Sequence, residues 1–170
     1  MRNFFFRILK LCAEPALIIA LLGFGYAYAQ EAYVANLVIG GSGTGSGGGL
    51  AVIDMSDNKV VTNIPVNVYG PGYVVSSPDG TKMYTTSYNN GTSFYFSVIS
   101  TATNKVIKNT LLQGGDADDH IMAINPAGTR AYVLFFPINN PNIESIYVVD
   151  TATSTVLDTI NLPAGFIAMI

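Results

Sequence analysis

The chain has 170 residues, of which 49% are hydrophobic and only 11% are charged, and its formal net charge is −3 at pH 7. Because its few cations are scattered and form no basic run, it lacks the positive surface that gripping a phosphate backbone requires, and we expect no nucleic-acid partner. A single cysteine, Cys12, excludes a disulfide within the chain.

Residues 1–29 have the layout of a secretory signal peptide. Three cations among the first ten residues form a positive n-region, an apolar stretch follows over 16–27, and Ala27-Tyr28-Ala29 is a cleavage site of small residues. The stretch is short for a membrane span, which needs about 20 residues. We predict cleavage after Ala29 rather than an uncleaved anchor. The mature domain, residues 30–170, would then have no transmembrane anchor and be secreted, periplasmic or on the surface of a prokaryotic cell.

Three copies of one pattern run through the mature domain. Residues 52–64, 98–110 and 148–160 align without a gap, and the pieces that flank them recur in step. A spacing of about 50 residues is typical of a repeat architecture. Within each copy, apolar residues alternate with polar ones or form short runs rich in Val, Ile, Tyr and Thr, and turn residues separate these segments. This pattern predicts β-strands and no helix beyond the signal peptide.

Two kinds of turn punctuate each copy. Residues 77–80 (SPDG) and 125–128 (NPAG) should each close a tight hairpin, because Pro presets the first turn position and Gly accepts a positive φ. A second turn is predicted at residues 54–58, 100–104 and 150–154. The aspartates in these turns, Asp54, Asp79 and Asp150, are interpreted as structural, since such side chains usually bond their own backbone two residues on.

Each unit is therefore predicted to have four short antiparallel strands. The second unit comprises residues 72–77, 82–87, 94–99 and 105–110, and the third comprises residues 120–125, 130–136, 145–149 and 155–160. The first unit lacks an inner strand and contains residues 32–38, 50–54 and 59–64. Residues 165–170 are predicted to form the inner strand of a fourth unit.

The repeated residues resemble a known family. Residues 33–36 (YVAN), 77–81 (SPDGT), 101–106 (TATNKV) and 148–153 (VVDTAT) are similar to the YVTN repeat of exported bacterial and archaeal β-propellers. The resemblance implies an all-β propeller of four-stranded antiparallel blades, with about seven in a ring. This chain supplies about three blades, a partial ring. Its open sheet edges imply missing blades or self-association, and we expect the sequence to be truncated.

One loop concentrates ionisable groups. Asp116, Asp118, Asp119 and His120 lie in a connection from an outer strand to the next inner strand, where the other copies carry no charge. Clustered carboxylates with a histidine could hold Ca²⁺ or a transition metal, and they are the candidate metal site. They could instead transfer protons, or form a solvated acidic loop. No other cofactor is evident.

Two further patterns have a structural interpretation. Residues 40–49 (GGSGTGSGGG) lack the Lys and the following helix of a phosphate-binding loop, so we interpret them as a flexible insertion. The aromatic residues are expected to pack within the blades rather than to stack on ligands. They are Tyr69, Tyr73, Tyr84, Tyr88, Phe94, Tyr95, Phe96, Phe135 and Phe136.

A rigid repeated frame with variable loops, an export signal and no catalytic constellation predicts a non-enzymatic binding or cell-surface scaffold. Its ligand, a protein or a small molecule, would bind the propeller loops. The alternatives are a periplasmic enzyme or electron-transfer subunit, or a metal-dependent hydrolase, with the site at the mouth of the propeller channel. A heme-attachment Cys-x-x-Cys-His would favour electron transfer, and the sequence contains none.

Overall fold

The computed structural model describes residues 31–36, 48–66, 71–89, 93–114, 121–135 and 144–163. All of them belong to one compact unit, Glu31–Ile170. This part of the chain contains β-strands and no helix. It therefore has no helical segment long and apolar enough to cross a membrane. The predicted signal peptide and the predicted strand at residues 165–170 lie outside the described residues.

The strands form three antiparallel sheets, each a meander of neighbours along the chain. The first sheet contains β1 (Glu31–Asn36), β2 (Gly49–Asp54) and β3 (Lys59–Pro65). The second contains β4 (Pro71–Ser76), β5 (Lys82–Asn89), β6 (Ser93–Ser100) and β7 (Lys105–Gly114). The third contains β8 (Met122–Ile124), β9 (Arg130–Phe135), β10 (Glu144–Asp150) and β11 (Val156–Leu162). The prediction of an all-β chain with four-stranded antiparallel units is confirmed, and we call the sheets blades 1, 2 and 3.

Most strand ends differ from the prediction by one or two residues, and two strands differ in length by three residues or more. Strand β7 continues to Gly114 because a bulge opposite Phe94 and Tyr95 lets its pairing with β6 resume as far as Ser93. Strand β8 is only three residues long and pairs with β9 from Met122 to Ile124.

Both predicted kinds of turn are present. Gly80 and Gly128 each donate their N–H to the carbonyl three residues earlier, at 2.9 and 2.8 Å, and both have φ of 69°. The turns between the third and outer strands each place one residue in the left-handed region instead. These residues are Asn58, Asn104 and Ser154. Glycine and asparagine tolerate this backbone conformation best, which is why the turn positions stand out in the sequence.

The apolar core lies between the blades, in two clusters. The cluster between blades 1 and 2 includes Leu50, Val52, Ile64, Met83 and Ile99. The cluster between blades 2 and 3 is larger and is built around aromatic rings. It includes Tyr84, Phe94, Phe96, Val133, Phe135 and Tyr147. Face-to-face packing of successive sheets thus buries both sides of blade 2.

The predicted structural role of the aromatic residues is confirmed for Tyr84, Phe94, Phe96 and Phe135, which are buried in the cluster between blades 2 and 3. It is wrong for Tyr73, whose ring is exposed. The pairing of β4 with β5 is irregular between Pro71 and Val74, so Tyr73 bonds the side chains of Thr85 and Thr86 through its backbone. Tyr95 is half-buried. Tyr69, Phe136 and the side chain of Tyr88 lie outside the described residues.

Candidate functional site

A groove opens between blades 2 and 3, at the end of the sheets that carries the turns before β5, β9 and β11. Its volume is about 330 Å³, at the lower end of the range for small-ligand sites. The groove is lined by the turn before β5, the turn before β9 and the turn before β11. The lining residues are Ser77, Pro78, Asp79, Thr81, Lys82, Tyr84, Ala127, Gly128, Thr129, Asp150, Thr151 and Ala152.

On the blade 2 side, Asp79 organises its own turn. Its Oδ1 accepts hydrogen bonds from the Ser77 hydroxyl at 2.5 Å, from the Thr81 N–H at 3.1 Å and from the Thr81 hydroxyl at 2.9 Å. The bond from Ser77 is the largest cause of a lowered pKa for this carboxyl group, and the bonds from Thr81 lower it further. Asp79 is therefore ionised at neutral pH.

On the blade 3 side, Asp150 accepts hydrogen bonds from its own turn in the same way. Its Oδ1 accepts the Ala152 N–H at 3.0 Å, the Thr153 N–H at 2.7 Å and the Thr153 hydroxyl at 2.9 Å. Bonds from Thr153 are the main cause of its lowered pKa. In blade 1, Asp54 Oδ1 accepts the Ser56 N–H at 2.8 Å. The structural interpretation of the three turn aspartates is therefore confirmed.

In blades 2 and 3, a threonine joins the two turns of the blade. In blade 3 the Thr151 hydroxyl donates to the Gly128 carbonyl at 2.6 Å, and its N–H donates to the Thr129 carbonyl at 3.1 Å. In blade 2 the Thr101 hydroxyl donates to the Gly80 carbonyl at 2.9 Å. The repeated Gly-Thr and Thr-Ala-Thr motifs are therefore hydrogen-bonded to each other. These bonds fix the positions of the turns that line the groove.

Tyr84 and Lys82 complete the groove. Burial raises the pKa of Tyr84, and an interaction with the Thr151 side chain partly offsets that effect. Lys82 is half-buried and lines the same groove as Asp79 and Asp150. The groove thus offers hydroxyls, two fixed negative charges and one positive charge. These groups suit hydrogen bonding to a small polar ligand, and its ionised carboxyl groups do not act as acids at neutral pH.

The four residues of the predicted metal site, Asp116, Asp118, Asp119 and His120, lie outside the described residues, so that site stays a prediction. In the described ranges, no group of three or more His, Cys, Asp or Glu side chains could hold a metal ion. The glycine-rich insertion also lies outside them, apart from Gly48 and Gly49.

One residue that the sequence analysis did not single out is Glu144, at the start of β10 and at the opposite end of the sheets from the groove. Its side chain is 4% exposed, and within the described structure its Oε2 has no hydrogen-bond partner. The alignment of the repeats marks Glu144 as unusual, because blade 2 has Phe94 at this position and blade 1 has Gly48. A carboxylate where the other repeats are uncharged is costly to bury.

Comparisons with known proteins give the fold. No protein-family model matches the chain, and no curated protein does. Hydrazine synthase of Kuenenia stuttgartiensis is similar, with a TM-score of 0.60 and 17% identity over 68% of this chain and 31% of that one. The dihydro-heme d1 dehydrogenase NirN in complex with DHE has a TM-score of 0.59 and 14% identity over 79% of this chain and 28% of that one.

The Dos1 propeller has a TM-score of 0.56 and 15% identity, over 73% of this chain and 30% of that one. This chain spans less than a third of the length of each of these three structures. Identities this low show the fold alone. Together with the three stacked meanders, they show that the chain has the β-propeller fold.

Proposed function

We propose that this chain is an exported propeller of the YVTN type that acts as a non-enzymatic binding or cell-surface scaffold. The layout of residues 1–29 supports export. The repeated motifs support the family, since Thr101 and Thr151 donate the same hydrogen bond to a glycine carbonyl in two successive blades. A frame held by such contacts leaves the variable loops and the groove between blades free to recognise a ligand.

The observation that carries the proposal is how the groove uses its polar groups. Asp79 and Asp150 each accept three hydrogen bonds from within their own turns, and these bonds lower the pKa of both carboxyl groups. Groups held this way define a fixed, charged surface and are poor proton carriers. Fixed groups of this kind favour binding without chemical change.

A ligand panel tests this function. We would measure the melting temperature of the full chain with neutral saccharides, short peptides, Ca²⁺ and Zn²⁺, and recover each compound for mass spectrometry. A ligand at a hundred times its Kd stabilises the fold by about 2.7 kcal/mol. We expect at least one organic compound to raise the melting temperature and to be recovered unchanged.

Two matched lysine variants locate the site. Lys82→Ala removes the groove cation but keeps its backbone bonds to Ser77, whereas Lys105→Ala removes an exposed cation away from the groove. Only Lys82→Ala should abolish the shift. A recovered compound of altered mass would contradict the scaffold, and equal effects of the two variants would contradict the groove. Stabilisation by cations alone would support the acidic loop instead.

A second candidate is a periplasmic enzyme or electron-transfer subunit, and Glu144 favours it. Its buried Oε2 has no hydrogen-bond partner among the described residues. A buried polar atom without a partner is costly, and folds retain such groups mainly where function needs them. Hydrazine synthase and the dehydrogenase NirN are structural neighbours that are named as enzymes.

The discriminating measurement is the melting temperature of Glu144→Leu beside Asp158→Asn, an exposed control on β11. A rise for Glu144→Leu alone would indicate a carboxylate kept for function. A fall would show that Glu144 has a structural partner, and would remove this support for the second candidate.

A further inference from the structure

A tyrosine at the interface between blades 1 and 2 is surrounded by polar groups of the chain itself. The Tyr33 hydroxyl lies 2.6 Å from Asn104 Oδ1 and 2.9 Å from Glu31 Oε2. Asn104 Nδ2 also donates to the Glu31 carboxylate, at 3.3 Å. At this interface, an amide and a carboxylate of the chain therefore meet the tyrosine hydroxyl.

The interface between blades 2 and 3 keeps the tyrosine, as Tyr84, but changes both of its partners. Lys82 takes the place of the glutamate, and Ser154, which is shorter, takes the place of the asparagine. Residues two apart on a strand share a face, so Lys82 and Tyr84 lie on one face of β5. Both line the groove. The Ser154 hydroxyl is buried and has no hydrogen-bond partner within the described structure. The second interface therefore lacks the carboxylate that the first one supplies.

The groove also presents charged atoms that the described chain leaves unpaired. The three hydrogen bonds to Asp79 and the three to Asp150 all reach Oδ1, so neither Oδ2 accepts one within the described structure. Among the described residues, the Lys82 ammonium group has no ion pair or side-chain hydrogen bond. The groove thus has one cation and two carboxylate oxygens available to a ligand.

We propose that this groove binds a dipeptide whose two ends are free. The ligand carboxylate lies beside the Lys82 ammonium and the Tyr84 hydroxyl, where the other interface has the carboxylate of Glu31. The ligand ammonium group donates to the Oδ2 atoms of Asp79 and Asp150. This inference rests on the proposed binding function and names the ligand class of the same groove.

The size and lining of the groove fit such a ligand. Its volume of about 330 Å³ equals the share of about eleven liquid water molecules, at roughly 30 Å³ each. Pro78, Ala127 and Ala152 add apolar lining that suits small side chains. A neutral saccharide would leave both signs of charge without a partner, and a metal ion would leave the Lys82 ammonium without one. The charges therefore favour a zwitterion over either of these ligands.

Four forms of one dipeptide test the proposal. Alanyl-alanine carries both charges, its N-acetyl derivative lacks the ammonium group, its amide lacks the carboxylate, and the doubly blocked form lacks both. Isothermal titration calorimetry on the full chain measures the four affinities. We expect each single block to weaken binding about ten-fold and the double block to weaken it further, because each block removes a charge-assisted hydrogen bond.

Matched variants assign the carboxylate to its place in the groove. Lys82→Gln should bind alanyl-alanine and its amide equally, whereas Lys105→Gln, an exposed cation outside the groove lining, should still prefer the free acid. A double variant with Lys82→Glu and Ser154→Asn rebuilds the residues found between blades 1 and 2. Asparagine tolerates the φ of 56° at position 154. This variant should lose binding without a fall in melting temperature.

The outcomes separate this proposal from the binding function on which it rests. Equal affinity for the free and the doubly blocked dipeptide would overturn the dipeptide proposal and leave a groove that binds. Binding of none of the four forms would overturn it too, and so would equal effects of Lys82→Gln and Lys105→Gln. Free alanine released from the dipeptide, detected by mass spectrometry, would instead contradict the non-enzymatic scaffold itself.

Discussion

The hydroxyl of Tyr33 lies 2.6 Å from Asn104 Oδ1, although the two residues are 71 positions apart in the chain. The same hydroxyl lies 2.9 Å from Glu31 Oε2, and Asn104 Nδ2 donates to the Glu31 carboxylate at 3.3 Å. Burial, and then the bond and charge of Glu31, raise the pKa of Tyr33 well above its ordinary value. This three-residue contact fastens blade 1 to blade 2.

Tyr33→Phe should therefore destabilise the domain while leaving the apolar packing of the ring in place. Loss of one such hydrogen bond costs about 1 kcal/mol, which lowers the melting temperature of a domain of this size by about 3 °C. Differential scanning calorimetry measures the change. Tyr73→Phe is the control, since that ring is exposed. An equal fall in melting temperature in both variants would show that the hydrogen bonds of the Tyr33 hydroxyl add no specific stability.

The turn aspartates predict how stability depends on pH. Hydrogen bonds lower the pKa of Asp79 and Asp150 in the folded chain, below the value of about 3.9 in an unfolded one. Their stabilising effect is therefore fully present above about pH 4, and is lost as the pH falls through the folded pKa. The urea midpoint should be flat near neutrality and fall in this acid range.

In Asp79→Asn the acid fall should be shallower, and the midpoint at pH 7 should already be lower. The control is Asp158→Asn, whose carboxylate accepts a bond from the adjacent Thr159 N–H. A wild-type midpoint that rises on acidification would contradict the sign of both shifts.

Two glycines offer a matched pair. Gly80 and Gly128 both have φ of 69°, but a Cβ on Gly80 would meet nothing within 4 Å, whereas a Cβ on Gly128 would lie 3.1 Å from Pro78 Cδ. Gly80→Ala should cost about 1 kcal/mol from the left-handed backbone alone. Gly128→Ala should cost more, because it also crowds the contact between blades 2 and 3. Chemical denaturation measures the loss of unfolding free energy in both variants. A smaller loss for Gly128→Ala would show that Pro78 moves aside without cost.

Export gives a prediction about the mature species. When the full chain is produced in a bacterial host, the exported form should lack residues 1–29 and begin at Gln30. Intact mass spectrometry of the periplasmic and secreted fractions reads the cleavage site directly. An Ala29→Arg variant, which removes the small residue at the site, should accumulate uncleaved. Wild-type protein that keeps its N-terminus in the cytoplasm would contradict the signal-peptide interpretation.

Local chemistry made the turns predictable and left the contacts between blades hidden. Pro78 and Gly80 make their turn predictable from the sequence, because each has a conformational preference that acts within four residues. The exposure of Tyr73 could not be read from the sequence, because it follows from an irregular pairing of β4 with β5. The same holds for the Tyr33–Asn104 contact and the groove beside Tyr84, since both depend on how separate sheets stack.

The meander within each sheet also shapes how the chain reaches its native state. Every strand pair in the described structure joins neighbours along the chain, so each sheet closes by short, local loops. Local loops cost little entropy and close quickly, whereas pairings between distant segments are slow. The sheets should therefore gain protection from hydrogen exchange as separate cooperative units, and the contacts of Tyr33 and Tyr84 with the next blade should mature last.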